Sequence, residues 1–180
     1  MNINPFGYLP DGREVHRIIL SGHGLTVNIL NYGAIVQDLR LDGHEPSLVL
    51  GYEKLDYYLK HSPYFGAIAG RCANRINKGK IELDGRSFQL DLNFLEKHCL
   101  HGGSISMGKC LWQIESASNT AVTLSINVPD GHMGFPGNLK TKVTYSLMPG
   151  CTLDIIMEAF TDKVTLCNLA HHSYFNLNKI

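Results

Sequence analysis

Apolar and polar residues alternate with a period of two along much of this chain. In the segment 122–128 every second residue is valine, leucine or isoleucine, and the residues between them are threonine, serine and asparagine. A similar alternation recurs at 143–147 and, after Pro149-Gly150, at 153–157. Successive side chains of a strand point to opposite faces, so this period predicts half-buried β-strands at the three segments.

Four Asp-Gly dipeptides mark candidate turns between strands, at 11-12, 42-43, 84-85 and 130-131. Aspartate and glycine tolerate the positive backbone φ angles of tight hairpin turns. A two-residue turn at 84-85 would place Ile81 opposite Phe88 and would give one apolar face to a hairpin spanning 80–90.

Helix signals are few. The segment 53–60, Glu-Lys-Leu-Asp-Tyr-Tyr-Leu-Lys, is the best candidate, and we expect one or two helical turns there that end before Pro63. The rest of the chain shows short strands separated by Gly, Pro, Asn and Asp. These features predict an all-β fold, and a β-sandwich in particular. No linker or repeat divides the chain, so we expect one domain, or part of one.

Composition indicates a globular protein, with 44% hydrophobic and 18% charged residues in 180 positions. Sixteen basic residues balance sixteen acidic ones, so no overall field recruits nucleic acid or an anionic membrane. A neutral ligand such as a sugar fits this balance, as it fits most soluble enzymes. The N-terminus lacks a basic start followed by an apolar run, and no apolar stretch reaches the roughly 18 residues of a membrane helix. The cytoplasm is the predicted location.

The five cysteines are odd in number and have no Cys-x-x-Cys spacing, which predicts free thiols. Cys99, His101 and Cys110, with His98 beside them, could suggest a metal cluster. Structural zinc ligands are usually paired at short spacings on both sides of the site, and these are not. A metal site is therefore not expected.

Two histidines have suggestive surroundings. His172 follows the apolar run 164–170 and precedes Tyr174 and Phe175, so a strand would carry it toward a surface lined with aromatic rings. Its spacing alone favours an ordinary core or surface histidine. His101 precedes a pair of glycines, which could let the backbone approach a ligand or could simply make a turn.

A polar cluster formed by Arg71, Asn74 and Arg75 lies between an apolar run and the predicted hairpin. A guanidinium offers a rigid fork of donors, and an amide offers both a donor and an acceptor, which suits the vicinal hydroxyls of a sugar. Arginines near loops are, however, more often solvated or paired with acids.

Four ordered segments resemble the aldose 1-epimerase (galactose mutarotase) family. They are Gly-Arg-x-x-Asn-Arg-Ile at 70–76, Leu-His-Gly-Gly at 100–103, Gly-Phe-Pro-Gly at 134–137 and His-Ser-Tyr-Phe-Asn-Leu at 172–177. The segments 31–34 and 49–52 also look like the opening strands of the family, so the resemblance covers nearly the whole chain. One difference is Ser106-Met107, where the family commonly has Gly-Phe.

The resemblance implies a β-sandwich of the galactose mutarotase type, here in truncated form. Residues 1–180 would be the N-terminal portion of a single aldose 1-epimerase-like domain. The implied activity is interconversion of the α and β anomers of a free hexose such as glucose or galactose, with no cofactor and no metal. A base removes the proton of the anomeric hydroxyl while an acid protonates the ring oxygen.

The resemblance also implies roles for individual residues. His172 matches the general acid, and His101 matches a second histidine near the ring oxygen. Asn74 and Arg75 match residues that hold sugar hydroxyls, together with His101, and Tyr174 lies in the substrate-contact segment.

The family's base is a glutamate from the second half of the fold, and no residue here matches it. The surroundings of Glu96, Glu115 and Glu158 do not recommend any of them as a substitute. The chain is therefore expected to act with a C-terminal half or to associate with itself. The alternative is a non-catalytic carbohydrate-binding or regulatory module with a mutarotase-like fold.

Overall fold

The computed structural model describes residues 2–61 and 64–177. Within them the chain forms fourteen β-strands and one α-helix, joined by turns and three short 3-10 segments. The strands, in chain order, are β1 (Asn2–Tyr8), β2 (Glu14–Gly22), β3 (Leu25–Leu30), β4 (Ile35–Leu41), β5 (Ile68–Ala69), β6 (Arg75–Ile76), β7 (Lys80–Leu83), β8 (Arg86–Gln89), β9 (Cys99–Leu100), β10 (Gln113–Ala117), β11 (Ala121–Val128), β12 (Leu139–Met148), β13 (Thr152–Thr161) and β14 (Ala170–His171). The helix α1 spans Leu55–His61.

Two four-stranded antiparallel sheets account for most of the strand residues. The first has the order β1-β2-β3-β4, and the second has the order β10-β11-β12-β13. The three segments with period-two alternation lie in β11, β12 and β13, as predicted. Leu124, Val143 and Met157 stand side by side across these strands, so their apolar side chains share one face.

The two sheets pack face to face and enclose one hydrophobic core, which confirms the predicted β-sandwich. Residues of β2 to β4 and of β10 to β13 meet in this core. Its fully buried members from the two sheets include Ile18, Leu20, Val27, Ile29, Val36, Val122, Leu124, Val143 and Tyr145. Each such side chain contributes roughly 1.5–3 kcal/mol when fully removed from water. The sandwich is thus stabilised mainly by the alternating positions that the sequence displays.

The hairpin β7–β8 has the predicted register, with Ile81 opposite Phe88. Both central residues of its turn have positive φ, 48° at Asp84 and 71° at Gly85, as a two-residue hairpin turn requires. Ile81 is buried in a small cluster with Leu90, Cys99 and Phe135, and Phe88 packs against that cluster from outside. The Asp-Gly signal therefore identified both the turn and the pairing.

The helix α1 confirms the one predicted helical segment, with bounds shifted by one or two residues. Its buried side chains, Leu55 and Tyr58, pack against residues of the first sheet. The Tyr58 hydroxyl accepts a hydrogen bond from the Tyr52 backbone N–H at 2.9 Å. Pro63, before which we expected the helix to end, lies outside the described residues. No helix in the ranges 2–61 and 64–177 has the length and hydropathy needed to cross a membrane.

Two short strand pairs lie beside the sandwich. β14 pairs with β5, with Ala170 opposite Ala69, and β6 pairs with β9, with Arg75 opposite Leu100. Both pairs carry segments that the sequence analysis singled out. All five cysteines are free thiols, as their spacing predicts.

Candidate active site

The backbone of His172 is held by the segment that precedes β5. The His172 N–H donates to the Ala67 carbonyl at 2.9 Å, and the Gly66 N–H donates to the His172 carbonyl at 3.0 Å. These two bonds continue the pairing of β14 with β5 by one residue. The position of His172 is therefore set by backbone hydrogen bonds rather than by a loop.

His101 is held against Asn74 in a similar way. The His101 N–H donates to the Asn74 carbonyl at 2.9 Å, and the Asn74 N–H donates to Nδ1 of His101 at 3.1 Å. A backbone N–H can only donate, so Nδ1 is an acceptor. In the neutral ring the proton consequently lies on Nε2, which can donate a hydrogen bond to a ligand.

The two histidines meet although they are far apart in the sequence. Their ring centroids are 4.9 Å apart, with the ring planes at 82°. The ring centroid of Tyr174 lies 5.1 Å from that of His172. The ring centroid of Tyr64 lies 4.6 Å from that of His101 and 6.0 Å from that of His172. His172 directly follows β14 and lies among these aromatic rings, close to where the sequence analysis expected a strand to carry it.

Burial changes the protonation of His101. Desolvation, with smaller contributions from the charges of His172 and Arg75, lowers the pKa of His101 to about 4. The imidazole is therefore neutral near pH 7. A neutral ring with its proton on Nε2 can donate a hydrogen bond to a ligand oxygen without carrying a charge into the site.

Asn74 and Arg75 extend the site on the His101 side. Arg75 Nη1 donates to Oδ1 of Asn74 at 3.2 Å, and the guanidinium carbon lies 4.3 Å from the centre of the Phe94 ring. The side chains of Asn74 and Arg75 are exposed. Both therefore present polar groups to solvent next to the two histidines.

Arg71, the first member of the predicted polar cluster, is not part of this site. It is buried at 2% exposure, and its Nη1 donates to the carbonyls of Pro136 at 2.8 Å and Gly137 at 2.9 Å, and to Oγ1 of Thr165 at 3.2 Å. Its guanidinium also lies over the Phe135 ring. Arg71 thus joins the 70–76 segment to the Gly-Phe-Pro-Gly segment and stabilises the fold. Of the three residues in the predicted polar cluster, only Asn74 and Arg75 lie at the site.

The glycine after His101 makes a close backbone approach. A Cβ on Gly102 would lie 2.1 Å from the Gly70 carbonyl oxygen, and Gly102 has a φ of 89°. No other residue type fits both conditions. The approach is to the protein backbone, so this glycine fixes His101 beside the 70–76 segment.

Tyr64 is a site residue that the sequence analysis did not identify. Burial raises the pKa of its hydroxyl, and Nζ of Lys109 lies 5.5 Å from the centre of its ring. Its backbone has a positive φ of 65°, as do those of Asn74 and His101, at 65° and 51°. Backbone conformations of this kind are uncommon outside glycine. No local pattern around Tyr64 signals this position.

Ser106-Met107, where the family commonly has Gly-Phe, belongs to the core. Met107 is 2% exposed and is a member of the main hydrophobic cluster. Its carbonyl accepts a hydrogen bond from Nε1 of the buried Trp112 at 3.0 Å. The local loop is therefore packed, and methionine fills an apolar position there.

The glutamates considered as substitutes for a base lie elsewhere. Glu115 accepts a hydrogen bond from Ser125, Glu158 stands opposite Lys142 on the second sheet, and Glu96 is exposed at the tip of a turn. Within residues 2–61 and 64–177, no hydrogen bond or ion pair joins a carboxylate to His101 or His172. No group of three or more metal-ligating side chains occurs in the same ranges.

Known proteins resemble this chain in sequence and in fold. The family model for aldose 1-epimerase matches residues 16–180. The chain belongs to the aldose 1-epimerase family. It is 41% identical to galactose mutarotase of Rattus norvegicus over 176 residues, which are 96% of this chain and 51% of that protein. It is 36% identical to aldose 1-epimerase of Haemophilus influenzae, covering 93% of this chain and 49% of that protein.

Solved structures agree with this assignment. The crystal structure of galactose 1-epimerase from Lactobacillus acidophilus NCFM matches with a TM-score of 0.86 and 30% identity, over 98% of this chain and 53% of that one. The chain thus spans about half the length of the relatives it matches. It has the fold of the matched half of an aldose 1-epimerase, and the family's motifs at 70–76, 100–103 and 172–177 converge in it on one site.

Proposed function

We propose that this protein is an aldose 1-epimerase that interconverts the α and β anomers of a free hexose such as glucose or galactose. The observation that carries the proposal is the contact between His101 and His172, whose ring centroids are 4.9 Å apart beside exposed donors from Asn74 and Arg75. The names of the relatives support the same reaction.

His172 is the proposed general acid. The base removes the proton of the anomeric hydroxyl, and the electron pair left on that oxygen forms the carbonyl at C1. The C1–ring oxygen bond breaks with its electron pair on the ring oxygen, which takes the proton from His172. Rotation about C1–C2 and the reverse steps give the other anomer and return both protons. An imidazole suits this transfer because it can give and take a proton near neutral pH.

His101 is proposed to donate a hydrogen bond from Nε2 to the ring oxygen region of the sugar. Its pKa of about 4 keeps it neutral, so it does not compete with His172 for the transferred proton. The Nδ1 contact with Asn74 orients the ring for this bond. His101 is therefore a substrate-binding and catalytic residue in one.

Asn74 and Arg75 are proposed to hold sugar hydroxyls. The guanidinium edge and the amide offer directional donors and an acceptor to adjacent hydroxyl groups. Tyr174, which packs on His172 at 5.1 Å, is proposed to line the sugar subsite. The ligand is a neutral small molecule, and the chemistry uses protein acids and bases without a cofactor.

We further propose that the base comes from a polypeptide equivalent to the part of the relatives beyond the matched half. Residues 1–180 would then be the N-terminal portion of one sandwich domain. That domain would be completed by the C-terminal half, or the chain would associate with itself. Both this reading and the alternative, a non-catalytic carbohydrate-binding or regulatory module, are compatible with the lack of a carboxylate on either histidine among the described residues. The cytoplasmic location stays a prediction from the sequence.

Polarimetry of freshly dissolved α-D-galactose and α-D-glucose tests the proposal. The 180-residue chain would be compared with a fusion to the second half of rat galactose mutarotase, with that second half alone as the control. We expect the chain to bind galactose without acceleration above buffer, and the fusion to accelerate mutarotation. Sugar binding with no acceleration in either sample would support the non-catalytic module.

Two other outcomes would be decisive. A monodisperse chain with strong activity on its own would show that a base lies within these residues. A correctly folded chain and fusion that neither bind galactose nor accelerate its mutarotation would overturn the proposed function.

A further inference from the structure

The guanidinium of Arg75 lies over an aromatic ring in a way that the proposed function does not explain. Its carbon lies 4.3 Å from the centre of the Phe94 ring. The other cation–aromatic contacts among the described residues are at 5.5–5.9 Å. Phe94 belongs to none of the hydrophobic clusters in residues 2–61 and 64–177. Core packing therefore does not account for its position.

Phe94 is set in a closed turn. Its N–H donates to the His98 carbonyl and its carbonyl accepts from the His98 N–H, both at 3.0 Å. Leu95 and Glu96, at the tip, have positive φ angles of 53° and 51°. Two backbone hydrogen bonds across so short a turn fix the backbone of Phe94, and with it the direction of its Cα–Cβ bond.

The same turn is attached to β9, the strand that pairs with β6 and so with Arg75. The Asn93 side chain donates to the Leu100 carbonyl at 2.9 Å and accepts from the Leu100 N–H at 2.7 Å. Leu100 in turn stands opposite Arg75 in the β6–β9 pair. The residues that carry the ring and the guanidinium are thus joined by one small framework of hydrogen bonds.

The contact with the ring restricts a long, exposed side chain that would otherwise sample many rotamers. Nη1 of Arg75 donates to Oδ1 of Asn74, and the Asn74 N–H donates to Nδ1 of His101. The guanidinium is consequently held beside Asn74, which itself contacts the His101 ring. Because its donors form a planar fork, restricting the guanidinium also restricts the directions in which they can reach a ligand.

We propose that Phe94 is a positioning residue, which orients the Arg75 guanidinium and thereby sets the sugar affinity of the site. The inference rests on the proposed function, because it takes Arg75 as a sugar contact. Phe94 acts through Arg75 and does not touch the sugar. The face of the ring supplies the attraction, so tryptophan preserves the effect and an aliphatic side chain of similar size does not.

Galactose titration of the 180-residue chain, followed by NMR, tests this role. We expect Phe94→Leu and Phe94→Ala to weaken galactose binding by about two- to five-fold, the ratio that corresponds to an exposed cation–aromatic contact. Phe94→Trp should keep the parent affinity. The Arg75 Nε–Hε proton should lose its ring-current shift in the leucine and alanine variants. Leu95→Ala, at the 75% exposed neighbour in the same turn, is the matched control and should change neither quantity.

Arg75→Ala separates the two levels of the proposal. If Arg75→Ala leaves galactose affinity unchanged, the proposed sugar contact fails and the role of Phe94 fails with it. If Arg75→Ala weakens binding and Phe94→Leu does not, only the positioning role is overturned. The role of the ring contact is also rejected if Phe94→Trp binds as weakly as Phe94→Ala. Circular dichroism confirms that each variant keeps the parent fold.

Discussion

His171 and His172 are neighbours in the chain, yet they lie in two different regions. His172 lies in the aromatic site with His101, Tyr64 and Tyr174. His171 borders a cavity of about 280 Å³, together with Ser173 and with apolar residues of both sheets. His171 ends β14 and His172 continues its pairing by one residue, and successive residues of an extended chain point to opposite sides, so the two identical side chains have different surroundings.

The region around His171 is apolar and lies at a sheet edge. Leu153 and Ile155 of β13 line the same cavity. β13 pairs with β12 on one side, and no strand within the described part of the chain pairs with its other side. The aromatic site is thus assembled from short strands with reciprocal hydrogen bonds, whereas the cavity lies beside a long unpaired edge. The side chains proposed for catalysis are therefore held by paired strands, while the unpaired edge borders the neighbouring cavity.

The sharpest way to break this comparison is to remove His172. In a fusion that carries both halves, His172→Ala should lower the mutarotation rate by about 10²- to 10⁴-fold, the usual contribution of general acid catalysis. His23→Asn, at an exposed turn position where φ is 52°, is the histidine control and should keep the parent rate. Polarimetry measures both rates, and activity of His172→Ala within a few-fold of the parent would remove His172 from the role of acid.

Removing Arg75 tests the sugar-binding side of the same site. Arg75→Ala should reduce kcat/KM by about 10- to 100-fold, because a hydrogen bond from a charged group contributes roughly 1.5–3 kcal/mol. Arg75→Lys should recover only part of this loss, since lysine lacks the planar fork. If both variants keep the parent's kinetic constants in the fusion, Arg75 is solvated or structural.

Sequence reasoning found the sheets more readily than the site. Strands such as β11 and β12 were predictable because alternation encodes which face is buried, and the Asp84-Gly85 turn fixed the pairing of β7 with β8. Spacing alone left His172 an ordinary histidine, and only the family resemblance singled it out. Its partners come from distant segments, and no local pattern records that proximity.

The same limit explains one miss and one misplacement. Tyr64 joins the site only because β5 and β14 pair, so its neighbours in the chain give no signal. Arg71 looked like a companion of Arg75, but its guanidinium is bonded to the carbonyls of Pro136 and Gly137 far along the chain. A polar side chain whose partners are distant carbonyls cannot be distinguished from a ligand-binding one by sequence spacing.

The apolar surroundings of His171 make a prediction about pH. Desolvation, with a smaller contribution from the charge of His172, lowers the pKa of His171 to about 4, against 6.5 for an ordinary histidine. The unfolded chain therefore binds more protons between these pH values, and the free energy of unfolding falls as the pH is lowered from about 6.5 to 4. His101 acts in the same direction.

His171→Gln removes one of these two titrations. From pH 6.5 to pH 4 the parent loses free energy of unfolding as His171 resists protonation, and the variant lacks this loss. The total decrease should therefore be smaller in His171→Gln than in the parent, by roughly 1–3 kcal/mol. Urea denaturation at pH 7 and pH 4 measures the difference, and His23→Asn again serves as the control. An unchanged pH dependence in His171→Gln would show that His171 is not the group that resists protonation.

The smallest expected effect concerns the open edge beside the His171 cavity. On the outward face of β13, Ile156 is 51% exposed and Phe160 is 59% exposed, and the strand's free backbone groups offer a template for pairing with another chain. We expect the 180-residue chain to self-associate as its concentration rises, and Ile156→Lys to shift that association by a few-fold, because a charged side chain on an edge strand opposes pairing. Val164→Lys, at a residue 58% exposed outside the strand, adds the same charge and should have little effect. Size-exclusion chromatography with light scattering, run over a concentration series, compares the three proteins. A parent chain that stays monomeric throughout, or a Val164→Lys variant that dissociates as readily as Ile156→Lys, would show that the β13 edge does not mediate association.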